Sequence, residues 1–248
     1  MASPTIKCSW EEGGVQRFYN SSTFETVHVN APLWFKDDFL GVDGFLKSEA
    51  GSFGIWGEPK IVGAAPPTVA TGADAAGGTV LCSLTADAQK QDAWMYFADQ
   101  LLLDVTKDLN IEMRCRLTTL PTLVAEACFG LSSNWADGPD TITHCAWFTA
   151  DGSGEIFMES DNAATDNSAT SGVTATAAQT KIYRIKCVPS GSNAVAHYYI
   201  DGVHVGGGSS YPLSGTQQVQ PFLGLYKAAG AGLGVLTIDY VAIWASNR

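Results

Sequence analysis

The sequence predicts an all-β protein built as two antiparallel sheets packed face to face. Three observations carry this. Apolar residues recur at every second position, the spacing of amphipathic helices is nearly absent, and turn-forming residues recur at intervals typical of a sandwich. A chain of 248 residues fits one large β domain better than two small ones and can bury a sizeable core without staples.

Along the chain, residues 1–33 stand apart from residues 34–248. Ile6 to Trp10 and Val15 to Tyr19, joined by Glu11-Glu12-Gly13-Gly14, read as a hairpin, and Phe24 to Val29 alternates again before Pro32. Two readings of this segment stand side by side. It is either an arm that adds a strand to a neighbouring subunit, with Trp10, Phe18, Tyr19 and Phe24 as interface residues, or the first strands of the sandwich.

The clearest strand is Leu109 to Leu117, with Leu109, Ile111, Met113, Cys115 and Leu117 on one face. Asn110, Glu112, Arg114 and Arg116 take the other, as in a half-buried strand. Tyr183, Ile185 and Cys187 alternate with Arg184 and Lys186 in the same way. Asp201-Gly202 between two apolar runs predicts a tight hairpin, and Asp151-Gly152-Ser153-Gly154 a longer turn. The last strand, Val235 to Trp244, is apolar on both faces, with Leu236, Ile238, Tyr240, Ala242 and Trp244 on one and Val235, Val241 and Ile243 on the other. Such a strand must be covered twice. By composition, Gly63–Gly78, Asp161–Ala178 and Gly206–Gly215 read as loops.

Composition narrows the function. Charged residues make up 16% of the chain, against roughly 25% in soluble proteins, so the surface must be rich in neutral polar groups. Such a surface suits a protein packed against neighbours. A net charge of −11 disfavours phosphate backbones and anionic membranes, so neither nucleic acid nor a membrane is expected as a partner. No apolar run is long enough to span a bilayer. Cys8, Cys82, Cys115, Cys128, Cys145 and Cys187 lack the close spacing of zinc ligands. The start Met-Ala-Ser carries no apolar signal segment, so reduced thiols in a protein assembled in the cytoplasm are expected, with no metal and no cofactor.

From Trp34 onward several motifs carry a resemblance. They are Asp37-Asp38-Phe39-Leu40-Gly41, Ala93-Trp94-Met95-Tyr96-Phe97, Phe129-Gly130-Leu131, Ala146-Trp147-Phe148, Tyr199-Ile200-Asp201-Gly202-Val203 and the closing Asp239-Tyr240-Val241-Ala242-Ile243-Trp244. In this order, over residues 34–246, the chain resembles the concanavalin A-like lectin/glucanase jelly roll. It is most similar to versions encoded beside tailed-bacteriophage capsid genes. The resemblance implies a non-enzymatic virion protein, a capsid decoration or head-accessory protein. Its partners would be the major capsid protein or other virion subunits, and it would self-associate on the particle. The alternative is a carbohydrate-binding module for host-surface glycans, and an endoglucanase comes third.

Each group that could carry chemistry also fits a plain structural role. Hydrolases of this fold place two Glu on one strand with an Asp between them; here Glu155 and Glu159 flank Phe157, so the Asp is missing. Residues four apart on a strand lie roughly 13 Å apart, against about 5–5.5 Å for a retaining carboxyl pair. The expectation is a strand with Ile156 and Met158 inward and both Glu in solvent, and no catalytic residue. Asp137, Asp140, Asp151, Asp161 and Asp166 are expected to cap turns rather than gather Ca²⁺. Trp94, Tyr96, Trp147 and Trp244 read as core, while Trp10, Trp34, Trp56 and Trp135 could stack on sugar or anchor an interface. Among these, Asn134, Trp135 and Asp137 form the best candidate for a sugar site. His28, His144, His197 and His204 lack a partner nucleophile motif, and no Walker-type phosphate loop is present.

Overall fold

The structure, a computed structural model, describes residues 6–10, 15–39, 56–57, 60–63, 65–72, 78–122, 124–207 and 209–246. The amino-terminal strands are β1 (Ile6–Trp10), β2 (Gln16–Asn20), β3 (Thr26–Asn30) and β4 (Leu33–Asp37). They are followed by β5 (Lys60–Val62), β6 (Thr68–Thr71), β7 (Val80–Ser83), β8 (Gln91–Tyr96), β9 (Asn110–Thr119) and β10 (Ala125–Ser132). The middle of the chain supplies β11 (His144–Ala150), β12 (Glu155–Asn162), β13 (Asp166–Thr174), β14 (Lys181–Ser190) and β15 (Asn193–Ile200). The last are β16 (Val203–Val205), β17 (Pro212–Leu213), β18 (Gln220–Lys227) and β19 (Val235–Ala245).

A seven-stranded sheet runs β13-β12-β11-β10-β18-β8-β5. It faces a nine-stranded sheet of order β16-β15-β14-β9-β19-β7-β6, in which β17 pairs with β15 and β4 with β19. Between them lies the main core, with Met95, Phe129, Phe148, Ile185, Leu223 and Val241 at most 1% exposed. The Asp201-Gly202 turn has φ of 49° and 78°, the left-handed pair that a two-residue hairpin requires.

The first three strands form a separate sheet, β1-β2-β3, that lies on the chain's own sandwich. Val15 and Val29 pack with Ile182, Tyr240, Ala242 and Trp244 on the outer face of the larger sheet. Beneath them the buried Glu112 carboxylate accepts from Thr26 N (2.9 Å), Thr26 Oγ1 (2.8 Å) and Tyr240 OH (2.7 Å), and pairs with Arg17 at 3.4 Å. Phe18 and Tyr19 are half-buried in the small sheet, and Phe24 stacks on Tyr19 with its edge against Gly202. The Trp10 side chain and residues 11–14, where the sequence predicts the hairpin turn, lie outside the described residues.

Several expectations need correction. The strand around Glu112 is not half-buried throughout, because Asn110 and Glu112 are 0% and 1% exposed beside the amino-terminal layer. In β19 the two faces exchange part-way. The pairing with β9 shifts between Ile238 and Tyr240, so Leu236, Ile238, Val241 and Ile243 point into the main core while Tyr240, Ala242 and Trp244 meet the small sheet. One extra residue in a strand reverses its alternation, and Asp239 is that residue. The stretch Asp161–Ala178 contains the edge strand β13, whose positions alternate between exposed and half-buried. An edge strand needs one ladder only, so small polar residues suffice. Likewise Gly63–Gly78 holds β6, anchored by buried Val69, and Gly206–Gly215 holds β17, whose Leu213 is buried together with the preceding Tyr211. Residues 64 and 73–77 of that first stretch, and residue 208 of the second, lie outside the described residues. Trp56 is not an exposed anchor: it is 2% exposed and its indole N–H donates to Asp37 Oδ2 at 2.7 Å.

Candidate functional site

The outer face of the seven-stranded sheet gathers the chain's aromatic and acidic side chains. Trp94 and Tyr96 of β8, Phe222 of β18, Cys128 of β10, and Cys145 and Trp147 of β11 form a cluster separate from the main core. They do so because each alternates with a core residue on its strand. The indole of Trp94 lies 4.4 Å from the Phe222 ring centroid. Trp94, Tyr96 and Trp147 are therefore buried as expected, but under a second cover rather than between the sheets.

That cover is the loop from Ser133 to Thr143. Trp135, Ala136 and Ile142 pack onto the aromatic cluster. Asp99 Oδ1 accepts from the Trp135 backbone N–H at 2.7 Å and from Gln220 Nε2 at 2.9 Å, while Gln220 Nε2 also donates to Ser133 O at 2.9 Å. Gly138, at φ 99°, lets the loop lie on Tyr226: a Cβ there would sit 3.0 Å from the Tyr226 hydroxyl.

Asn134, Trp135 and Asp137 all belong to this loop, but they do not share one open surface. Asn134 is exposed, Asp137 forms an ion pair with Lys90, and the Trp135 ring is half-buried with Lys60 Nζ 4.1 Å above it. Among the loop aspartates, Asp151 and Asp161 cap turns, each accepting from a backbone N–H two residues on at 2.7 Å. No group of three or more His, Cys, Asp or Glu is placed to hold a metal among the described residues.

Beyond the covering loop, β10 to β13 leave a strip bearing Glu126, Thr149, Phe157, Glu159 and Ser168. Ile156 and Met158 point into the core and Glu155 is exposed, as the alternation predicts. Glu159 departs from the expectation, because it is half-buried beside Trp147. Burial raises its pKa from 4.5 to about 7; the Trp147 indole opposes that shift, and Asp166, Asp140 and Asp161 add to it. Glu126 is also half-buried and pushed to about 7, by burial first and then by Glu159 and Asp140. Sequence reasoning missed Glu126, although a lone carboxylate within Ala125-Glu126-Ala127-Cys128 marks an outward position in an apolar strand. Glu155 and Glu159 stay on a strand paired without interruption to β11, while the irregularity falls on the β13 side, between the partners of Ile156 and Phe157. Glu155 instead accepts from Thr170 Oγ1 at 2.8 Å.

No family model matches the chain, and no curated protein matches it. Among solved structures, the endo-1,3-beta-glucanase from Streptomyces sioyaensis matches 86% of this chain and 97% of its own, with a TM-score of 0.50 and 14% identity. The fold is concanavalin A-like. The carbohydrate esterase vb_24B_21 from Shiga toxin-encoding bacteriophage phi24B covers 82% of the chain and 97% of itself (TM-score 0.49, 16% identity). The Emp47p carbohydrate recognition domain covers 72% and 88% (TM-score 0.47, 10% identity). At such identities the likeness is one of architecture, and the chemistry of this concanavalin A-like sandwich has to be argued from its own side chains.

Proposed function

We propose that this chain is a non-enzymatic structural protein of a virus particle, a sandwich that decorates a bacteriophage capsid by adhesion to the major capsid protein or other virion subunits. The observation that carries the reading is the Ser133–Thr143 loop, which buries Trp94, Trp147 and Phe222 under the chain's own residues. Where that loop lies, the described sheet face is closed to a polymer. Glu155 and Glu159, four residues apart on one strand, are separated by roughly 13 Å at their Cα atoms, against about 5–5.5 Å for a retaining carboxyl pair. Charged residues make up only 16% of the chain, so comparatively few charges need be desolvated on docking. Purified particles test the proposal. The chain should be present at a fixed ratio to the shell protein and should self-associate there. Its absence from particles, or reducing-sugar release from β-glucan that Glu159→Gln abolishes, would overturn it.

A second reading, a glycan-binding module, is favoured by the strip on β10 to β13. Protonated Glu126 and Glu159 can donate to sugar hydroxyls as well as accept from them, and half-buried Phe157 lies between Glu155 and Glu159 on the same strand face. Glycan-array binding lost in both Phe157→Ala and Glu159→Ala would support that reading.

A further inference from the structure

The opposite side of the sandwich holds a cavity that the adhesion reading does not use. It lies on the outer face of the nine-stranded sheet, has a volume of about 320 Å³, and is lined by Thr79, Arg114, Cys115, Arg116, Thr180, Thr237 and Asp239. That volume falls at the lower end of the roughly 300–1,000 Å³ typical of small-molecule sites.

Its construction follows from the irregular pairing of β19. At Asp239 the strand carries an extra residue against β9, and such bulges re-aim a side chain that regular pairing would send elsewhere. Here Asp239 meets Arg114 of β9, with Nη1 to Oδ2 at 2.5 Å. Arg116, the next outward residue of β9, stands opposite Thr237. Thr237 is held by Thr118 through a 2.7 Å hydroxyl contact.

Charge singles out Arg116. Arg114 is engaged with Asp239, and the neighbouring Lys36 and Glu25 pair with each other at 3.4 Å. Among the described residues, two guanidiniums thus face one carboxylate across the cavity, leaving one positive charge in a chain whose net charge is −11. Around it stand the hydroxyls of Thr79, Thr180 and Thr237 and the acceptor oxygens of Asp239. A guanidinium matches a carboxylate in a planar, two-point fashion, while hydroxyls and a carboxylate suit a polyol.

The geometry points to a binding site for an acidic monosaccharide, a hexuronic acid whose carboxylate rests on Arg116 and whose ring hydroxyls meet Asp239 and the threonines. It lies on the other sheet from the strip bearing Glu126 and Glu159, so it stands or falls independently of either reading above.

Ligand-observed NMR and calorimetry on the full chain, with D-glucuronate, D-glucose and inorganic phosphate as probes, test this. Glucuronate should bind saturably in the millimolar range, at least about tenfold more tightly than glucose or phosphate. Arg116→Gln should weaken glucuronate binding by roughly tenfold or more with an unchanged melting temperature, because the side chain is exposed, and Arg116→Lys should retain part of the affinity. Failure of glucuronate to saturate, equal binding of glucose, equal binding of phosphate, or unaltered binding by Arg116→Gln would each overturn the assignment.

Discussion

Glu126 and Glu159 hold their protons near neutrality because the folded chain withdraws them from water and sets other carboxylates around them. Each titrates near 7 in the folded state against an ordinary 4.5, so between those values the folded protein binds more protons than the unfolded chain. The stability they favour is therefore complete below about pH 4.5 and is lost as the pH rises through about 7. One pKa unit corresponds to about 1.4 kcal/mol, so the two groups together govern on the order of a few kcal/mol. The double variant Glu126→Gln/Glu159→Gln should melt higher than the parent at about pH 8 and show a flatter dependence of melting temperature between about pH 5 and 8. Calorimetry across that range checks it, and parallel curves for the two proteins would contradict the account. At this scale the sequence was a partial guide. The outward direction of Glu159 followed from alternation, but its withdrawal from solvent depends on Trp147, a strand away in space and twelve positions away in sequence. Asp239 was hidden for a different reason, since nothing in an unbroken alternating run announces where the extra residue falls.

At the scale of elements, the amino-terminal sheet shows how far composition can lead. Apolar positions in the first thirty residues and the two apolar faces of the last strand each demanded a cover. They cover one another, a match between segments some two hundred positions apart that periodicity alone does not pair. Removal of residues 1–33 would uncover Tyr240, Ala242 and Trp244 and strip the Glu112 carboxylate of Thr26 and Arg17. Leaving a buried charge without its partners costs about 3–5 kcal/mol, and each large apolar side chain returned to water about 1.5–3 kcal/mol. Against a total stability of about 5–15 kcal/mol, the truncated chain should unfold or melt far below the full one, as circular dichroism would record. A melting temperature unchanged by the deletion would show that the segment is dispensable to the sandwich. The polar strand β13 marks the opposite limit. Asp166 to Thr174 contains almost nothing to bury, and it becomes a strand because β12 offers a free edge, a property of its neighbour rather than of its own residues.

For the whole molecule, the two-sheet architecture was legible because a period of two admits few other solutions for a chain of this length. The order of strands was not, since it is fixed by contacts between distant segments. β19 illustrates the point most fully. It pairs with β9 along one side, while β7 and β4 share the other, so an interior position of the larger sheet is supplied by the last of the described strands. Synthesis proceeds from the other end. Until residue 245 has left the ribosome, β9, β7 and β4 wait with open ladders, and the apolar underside of the amino-terminal layer has no floor. Sheets joined by such long-range pairings form slowly and expose unpaired edges meanwhile. A chain ending at residue 234 should accordingly remain unfolded and prone to aggregate, with no cooperative melting transition, although it retains more than nine-tenths of the sequence. The nascent protein thus passes through an interval in which every other strand of the sandwich has been made and the larger sheet still cannot close, and its yield in a cell depends on how well that interval is shielded from other chains in the same state.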